Sequence, residues 1–531
     1  MQEQEEKKKS KGSKILMIGL IVAAFVLVGG SVSAFFIFNK SPKIQYLMAE
    51  TETVKLMGDL FEDRYKNESN WMETQGKKPV ESIVDISAEW NDPNVDYYTE
   101  DIRSIVNSSA LTVRNVYDPI KKENELELGG KVGGTELTIG NLILTPEKLF
   151  LSLPFTEDIL RFDDKDFGKL MKEFDEDYEG QDELGLSKIF EDAFSANEEL
   201  NTYMEKEYLE YFIGKLPEEA FTSEKETIEV FDKKIDAKKL SMKLSEKEVK
   251  ALITDFYEKL RDDEKLMEIV KESMHDQAAL ASSLGEDMTS EIDDVFGNME
   301  EDINEVIEEI DTWSFPGGIE STIWADSNKV VKRDFAMAMG EYEGEETSFQ
   351  LSGTQLLEKT NQQWAYTVTV NDAYYDEENS LEFTGDLTWK DNKAKDSMKI
   401  SVDDFEVIYE GEEKLDGKKR TFSREIGYSD GYSTPKLIWA GNATHEKDSV
   451  KASHEFTVSG EGMEENMYNL IVNQEGKVVK KVDMPGESDK IVNIGEMKVD
   501  EIQAYFETDL ATQFEEWAEK LMGDLEKELY D

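Results

Sequence analysis

Three histidines, His275, His445 and His454, and a complete lack of cysteine bound the chemistry open to this chain. Without cysteine there is no thiol nucleophile, no thiolate zinc site, no disulfide and no lipid attached through a modified cysteine. His275 falls in a polar helix end, and His445 and His454 sit in strand–turn–strand context at a spacing that matches no metal motif. No Gly-x-Ser-x-Gly elbow, Walker A loop or Rossmann glycine fingerprint occurs. Asp175, Asp177, Glu179 and Gly180 fit positions 1, 3, 5 and 6 of a calcium loop, but Leu186 stands where the bidentate glutamate of position 12 belongs. Weak, exchangeable divalent binding along the acidic stretches is the reading that remains. No carboxylate pair is singled out among the 118 acids for glycoside hydrolysis. The sequons at Asn67, Asn107 and Asn442 read as chance in so acidic a chain. The sequence therefore points to a protein that is not an enzyme and needs no cofactor.

The residues left to do binding are apolar. Val249, Leu252 and Phe256 form one helical stripe, and Met288, Val295 and Met299 another. Met337 and Met339 alternate on a strand that could face them. These eight are the candidate walls for an apolar ligand, with flexible thioethers suiting an adaptable surface. Ordinary core is the competing assignment for the same side chains.

Positioning them requires helices and strands in a definite order. Pro42 to Lys66 reads as a helix and Asn67 to Pro79 as a loop. Short strands follow between Ser82 and Leu153, punctuated by Gly129-Gly130, Gly133-Gly134 and Gly140-Asn141. Asp163 to Gly214 is helical, and Thr227 to Leu244 is a hairpin. Ser245 and Glu248 form a capping box that starts the Val249 helix. Met288 to Ile310 is a surface helix laid on a sheet, with a coiled coil as the alternative. From Pro316 to Ile494 strand-like segments recur with hairpin-sized turns, an antiparallel meander. Val499 to Tyr530 closes the chain as an amphipathic helix. Lys55 to Leu60 recurs letter for letter as Lys520 to Leu525; duplication, close helix packing at the two glycines, and coincidence all fit.

The N-terminus carries the strongest single signal. Lys7, Lys8, Lys9, Lys11 and Lys14 precede an uncharged apolar run from Ile15 to Phe38, long enough for one bilayer-crossing helix. The lysine excess predicts a cytoplasmic tail (1–14), a membrane helix (15–38) and an extracytoplasmic body. Cleavage as a signal peptide after Ala34 is the rival, since Val32-Ser33-Ala34 suits a peptidase. The body holds most of the 60 basic and 118 acidic residues, and the net charge of −58 excludes nucleic-acid binding through phosphates. A 39% hydrophobic fraction with only 10 prolines is a folded composition. The body divides by composition into a mixed helix and strand region (39–315) and a strand-rich meander with its C-terminal helix (316–531), the two sharing one sheet.

In layout the chain resembles uncharacterised single-pass, membrane-anchored extracytoplasmic proteins of Gram-positive bacteria. Ile319 to Met339 and Thr227 to Leu260 are similar to hairpins of the envelope lipoprotein carriers, although the lipobox cysteine is missing and the chain is much longer. That resemblance implies an α+β fold, a large curved antiparallel meander with amphipathic helices packed on one face, plus the N-terminal transmembrane helix. The function it implies is a non-enzymatic scaffold or interaction module at the cell envelope. A carrier or sensor of a lipid-like ligand is the alternative, and a wall-polymer hydrolase comes third. The expected partners are the membrane through Ile15–Phe38, an envelope protein or lipid-like ligand, and weakly bound divalent cations.

Overall fold

The computed structural model describes residues 41–174, 178, 182–187, 200, 202–283, 288–340, 346–372, 377–431, 433–463, 466–486 and 488–530. The apolar run Ile15–Phe38 lies outside them, and no described helix is long and apolar enough to cross a membrane. The described chain is dominated by twenty strands, nearly all antiparallel, with one parallel pair. This corrects the expected α+β meander with helices spread over one face and a membrane helix added. Strands form at Asp158–Asp163, Lys436–His445 and Lys490–Asn493, where none was expected; the first and last, at 6 and 4 residues, are too short for alternation to show.

The strands are β1 (Val80–Trp90), β2 (Ala110–Asp118), β3 (Glu123–Val132), β4 (Thr135–Leu144), β5 (Lys148–Ser152), β6 (Asp158–Asp163), β7 (Phe221–Val230), β8 (Lys233–Leu244), β9 (Ile319–Asp326), β10 (Lys329–Met339), β11 (Thr347–Glu358), β12 (Asn361–Asp372), β13 (Glu377–Thr388), β14 (Lys393–Val402), β15 (Phe405–Asp416), β16 (Lys419–Ser429), β17 (Lys436–His445), β18 (Ser449–Ser459), β19 (Tyr468–Val478) and β20 (Lys490–Asn493). The helices that matter below are α1 (Pro42–Arg64), α2 (Lys66–Gln75), α3 (Tyr97–Asn107), α4 (Glu246–Asp262), α5 (Glu264–Ser283), α6 (Met288–Glu309) and α7 (Ala511–Tyr530). Two compact units divide the chain. The first comprises Met1–Arg64, Glu198–Glu268 and Gly297–Ile408; the second comprises Tyr65–Asn197, Ile269–Phe296 and Tyr409–Asp531.

In the first unit β7 to β14 pair in chain order as an antiparallel meander. Two-residue turns close two of its hairpins, with Ser327-Asn328 and Asp391-Asn392 all at positive φ, the geometry that matches strand twist. Gly318 is obligatory: its φ is +73° and a Cβ there would meet the Leu244 carbonyl oxygen at 1.9 Å. Arg333, Phe335, Met337 and Met339 alternate onto one face of β10, and the last three join Ile44, Leu47, Val249, Ile253, Ile310 and Ile319 in a single core.

Helix α1 carries only a weak apolar stripe, and its buried polar side chains fix it instead. Lys43 Nζ donates to the Leu216 carbonyl at 2.6 Å, and burial lowers that lysine's pKa. Tyr46 shares a 2.6 Å hydrogen bond with Ser321, the Val330 N–H donates to Thr53 Oγ1 at 2.8 Å, and Gln362 Nε2 donates to the Leu56 carbonyl at 2.8 Å. Arg333 pairs with Glu50, and Arg64 with Asp396 at 2.7 Å. Each bond satisfies a group that burial would otherwise penalise, so α1 has one register on its sheet.

The second unit runs β16–β17–β18–β19–β1–β2–β3–β4–β5–β6–β20. Pairing of β19 with β1 brings together strands from opposite ends of the chain, and β20 joins β6 in the parallel pair.

Candidate functional site

Registered pairing in the second unit sorts its side chains onto two unlike faces. On one face Ile426 stands opposite Leu437, and Leu437 opposite Val458. Trp439, Phe456, Leu470 and Ala88 make the next row, and Val472, Ile86 and Leu111 another. Further along, Leu126, Leu142, Leu151 and Leu160 pair successively across β3 to β6. Directly paired residues share a face, so these rows form one apolar surface.

On β1, β2, β18 and β19 the opposite face is largely polar and satisfies itself, while across β2 to β5 it also carries Val116, Ile143 and Phe150, buried in a cluster with Val482. Thr112 donates to Asp85 at 2.6 Å, and Arg114 bridges Glu81 at 2.7 Å and Glu125 at 2.9 Å. Ser453 donates to Asn473, and Thr457 to Asn469, each at 2.7 Å.

One end of the apolar face is covered by α2. Trp71 is buried against Val80 and Val450, lying so close over Gly476 that a Cβ there would sit 2.8 Å from the indole. Arg420 Nε donates to Glu68 at 2.7 Å, and its Nη1 to the fully buried Glu413 at 2.8 Å; Tyr65 also donates to Glu413 at 2.8 Å. The Arg424 guanidinium lies 4.4 Å from the Trp439 ring centroid and 4.6 Å from that of Phe422, and donates to Glu413 at 2.6 Å. The cluster balances two arginines against two carboxylates, which makes it a clasp for α2 rather than a charged binding site.

Beyond Arg424 the cover ends. Ile426, Leu470 and Leu437 expose 43%, 43% and 36% of their surface, and Leu111, Tyr428, Val458 and Tyr468 are likewise exposed. A contiguous apolar surface of this kind is what distinguishes an interaction site from singly scattered hydrophobic residues.

The residues expected to line a ligand groove are placed as follows. Val249, Met337 and Met339 are buried members of the first unit's core, and Leu252 packs against it. Phe256 stacks among Tyr208, Phe212 and Tyr257. Met299 is half-buried, Val295 is 54% exposed, and the Met288 side chain lies outside the described residues. His454 accepts a hydrogen bond from the Trp439 indole at 3.2 Å, and His445 lies 3.9 Å from Glu68; the His275 side chain is outside the described residues. Asp175, Asp177, Glu179 and Gly180 are also outside them, while Leu186 is buried. Among the described residues no group of three or more His, Asp or Glu is placed to hold a metal ion. The open sheet face was not anticipated, although alternation in β17, β18 and β19 was its available signal.

No family model and no curated protein matches the chain. Similar solved structures include OccK3 (OpdO) of Pseudomonas aeruginosa, 6% identical, covering 76% of this chain and 95% of its own, at a TM-score of 0.22. The outer membrane protein opdK of the same organism is 7% identical, with 76% and 98% covered and a TM-score of 0.22. OmpT, an outer membrane protein of Vibrio cholerae, is 5% identical, with 76% and 98% covered and a TM-score of 0.19. Likeness at that level establishes neither fold nor activity. These are not Gram-positive single-pass proteins or lipoprotein carriers, so the resemblance drawn from chain layout is corrected. The reading built on it, a protein with a cytoplasmic N-terminus anchored by one helix as an extracytoplasmic scaffold or lipid carrier, is not retained.

Proposed function

We propose that this is a non-catalytic, membrane-associated protein, and that the open apolar face of the second unit's sheet is the surface that meets the bilayer. The observation that carries the reading is the continuity of that face, from Ile426 across Val458 and Leu470 to Leu111, on strands whose opposite face is largely polar. Trp90 and Tyr468, with ring centroids 6.3 Å apart, stand near one rim, the level that amphipathic aromatics favour.

The magnitude is adequate. Full burial of a large apolar side chain yields about 1.5–3 kcal/mol, so covering the remaining two-fifths of seven such side chains yields about 4–8 kcal/mol. The net charge of −58 opposes anionic lipid, so zwitterionic vesicles are the expected substrate. The experiment is quenching of Trp90 and Trp439 in the full chain by brominated acyl chains, read against Trp324 of the first unit. Quenching of the first two, lost on Leu470→Glu with Val458→Glu, is the expected result. Equal quenching of all three, or none sensitive to those substitutions, refutes the reading.

A further inference from the structure

A histidine stands among the apolar rows of the second unit's sheet face. Phe422, Gly441, His454, Val472, Ile86 and Leu111 pair in succession, so the imidazole belongs to the same surface as Val458 and Leu470. Its row lies beside that of Arg424, where the cover by α2 ends, and the side chain is half-buried. The Trp439 indole N–H donates to His454 Nδ1 at 3.2 Å. An indole can only donate, so this bond requires Nδ1 to carry no proton.

The groups around the ring favour that neutral form. The Phe422 and Trp439 ring centroids lie 5.7 and 5.8 Å from that of His454, and the Arg424 guanidinium lies against the same two rings. Arg424 donates to Glu413, which also accepts from Arg420; Glu68, His445, Tyr65 and Tyr409 are the other titratable groups of that cluster. On β19 the facing residues are Val472 and the neutral Gln474, and Lys451 and Glu455 of β18 project from the other side of the sheet. Burial holds the His454 pKa below its ordinary value, and Arg424 lowers it further. Protonation at Nδ1 breaks the Trp439 bond, sets a second cation beside Arg424 and places a charge on an apolar surface, where hydrocarbon penalises it most.

We propose that His454 makes the bilayer contact sensitive to pH, the neutral imidazole permitting it and protonation releasing it. This rests on the reading of that face as the surface that meets lipid. The sign follows from linkage. The bound form holds the proton less readily than the free form, so affinity is full above the free protein's His454 pKa and falls as pH drops through it, by up to about tenfold per pH unit. Neutralising carboxylates over the same range reduces the chain's negative charge and acts in the opposite direction.

The test is co-sedimentation of the full chain with phosphatidylcholine vesicles from about pH 7.5 to about pH 5, a range that spans the ordinary histidine pKa. Proton NMR locates the His454 titration, assigned among three histidines by its loss in His454→Gln. The expected result is weaker binding on acidification, following the His454 titration in the parent, with the ratio of affinities at the two ends of the range flattened in both His454→Gln and His454→Phe. No binding by the parent at about pH 7.5 removes the bilayer reading and this inference with it. Binding there that does not weaken on acidification, or that weakens equally in both variants, overturns this inference alone.

Discussion

The Glu50–Arg333 pair should decide whether α1 stays docked. Glu50 projects from α1 with 1% of its surface exposed, and Arg333 projects from β10 with 8%. Tyr46 lies beside them, its phenol pKa pushed up by burial and further by the Glu50 carboxylate, so it stays a neutral donor or acceptor for Ser321. Glu50→Ala leaves a guanidinium desolvated without its counter-charge, a change that costs about 3–5 kcal/mol. Domain stabilities are about 5–15 kcal/mol, so this is a large share of the total. Arg333→Met strands the carboxylate and should cost a similar amount. Replacing both, as Glu50→Leu with Arg333→Met, removes both desolvation penalties and should recover most of the loss. Urea unfolding followed by tryptophan fluorescence would read it, since Trp313 and Trp324 are buried in the first unit. With a slope of about 3 kcal/mol/M, each single variant should lower the midpoint by about 1–2 M. Single variants that shift it by less than a few tenths molar, or a double variant equal to the sum of the singles, would refute the claim that the pair holds the helix.

Three other outcomes follow from the same packing. Ser245→Ala removes the acceptor for the Glu248 N–H at the start of α4 and should cost about 1 kcal/mol, seen as a lower urea midpoint with unchanged slope. Trp71→Ala opens the contact with Val80 and Val450 and should cost about 3–5 kcal/mol; calorimetry would show whether only one transition moves. Sodium chloride should raise the melting temperature of the whole chain, because counterions screen 58 excess negative charges; a melting temperature that falls between low and moderate salt would contradict this.

Local chemistry was legible in the sequence wherever a few neighbouring residues settle the geometry. The capping box at Ser245 forms as spelled, with the Ser245 N–H donating to Glu248 Oε2 at 2.7 Å, and the Asp391-Asn392 turn takes its positive φ values. Helix α2 was read as a loop because its sequence is polar and its stability is not local. Glu68 is fixed by Arg420, 352 residues away, and Trp71 by strands from both ends of the chain. Propensity over ten residues cannot register such partners. The same limit explains the site. Period-two alternation says that one side of β18 or β19 is apolar, and the natural inference is that something of the same chain covers it. Only the register, which sets Val458 beside Leu437 and Leu470 beside Ala88, reveals that the rows are continuous and largely bare. Val295 is the converse case: its place on a helical stripe suggested burial, yet it is exposed, because a stripe specifies an apolar side without naming what will meet it. Pairing across distant strands is therefore the level at which the bare sheet face arises. Substitutions there should alter binding while leaving the local elements that the sequence does spell out intact.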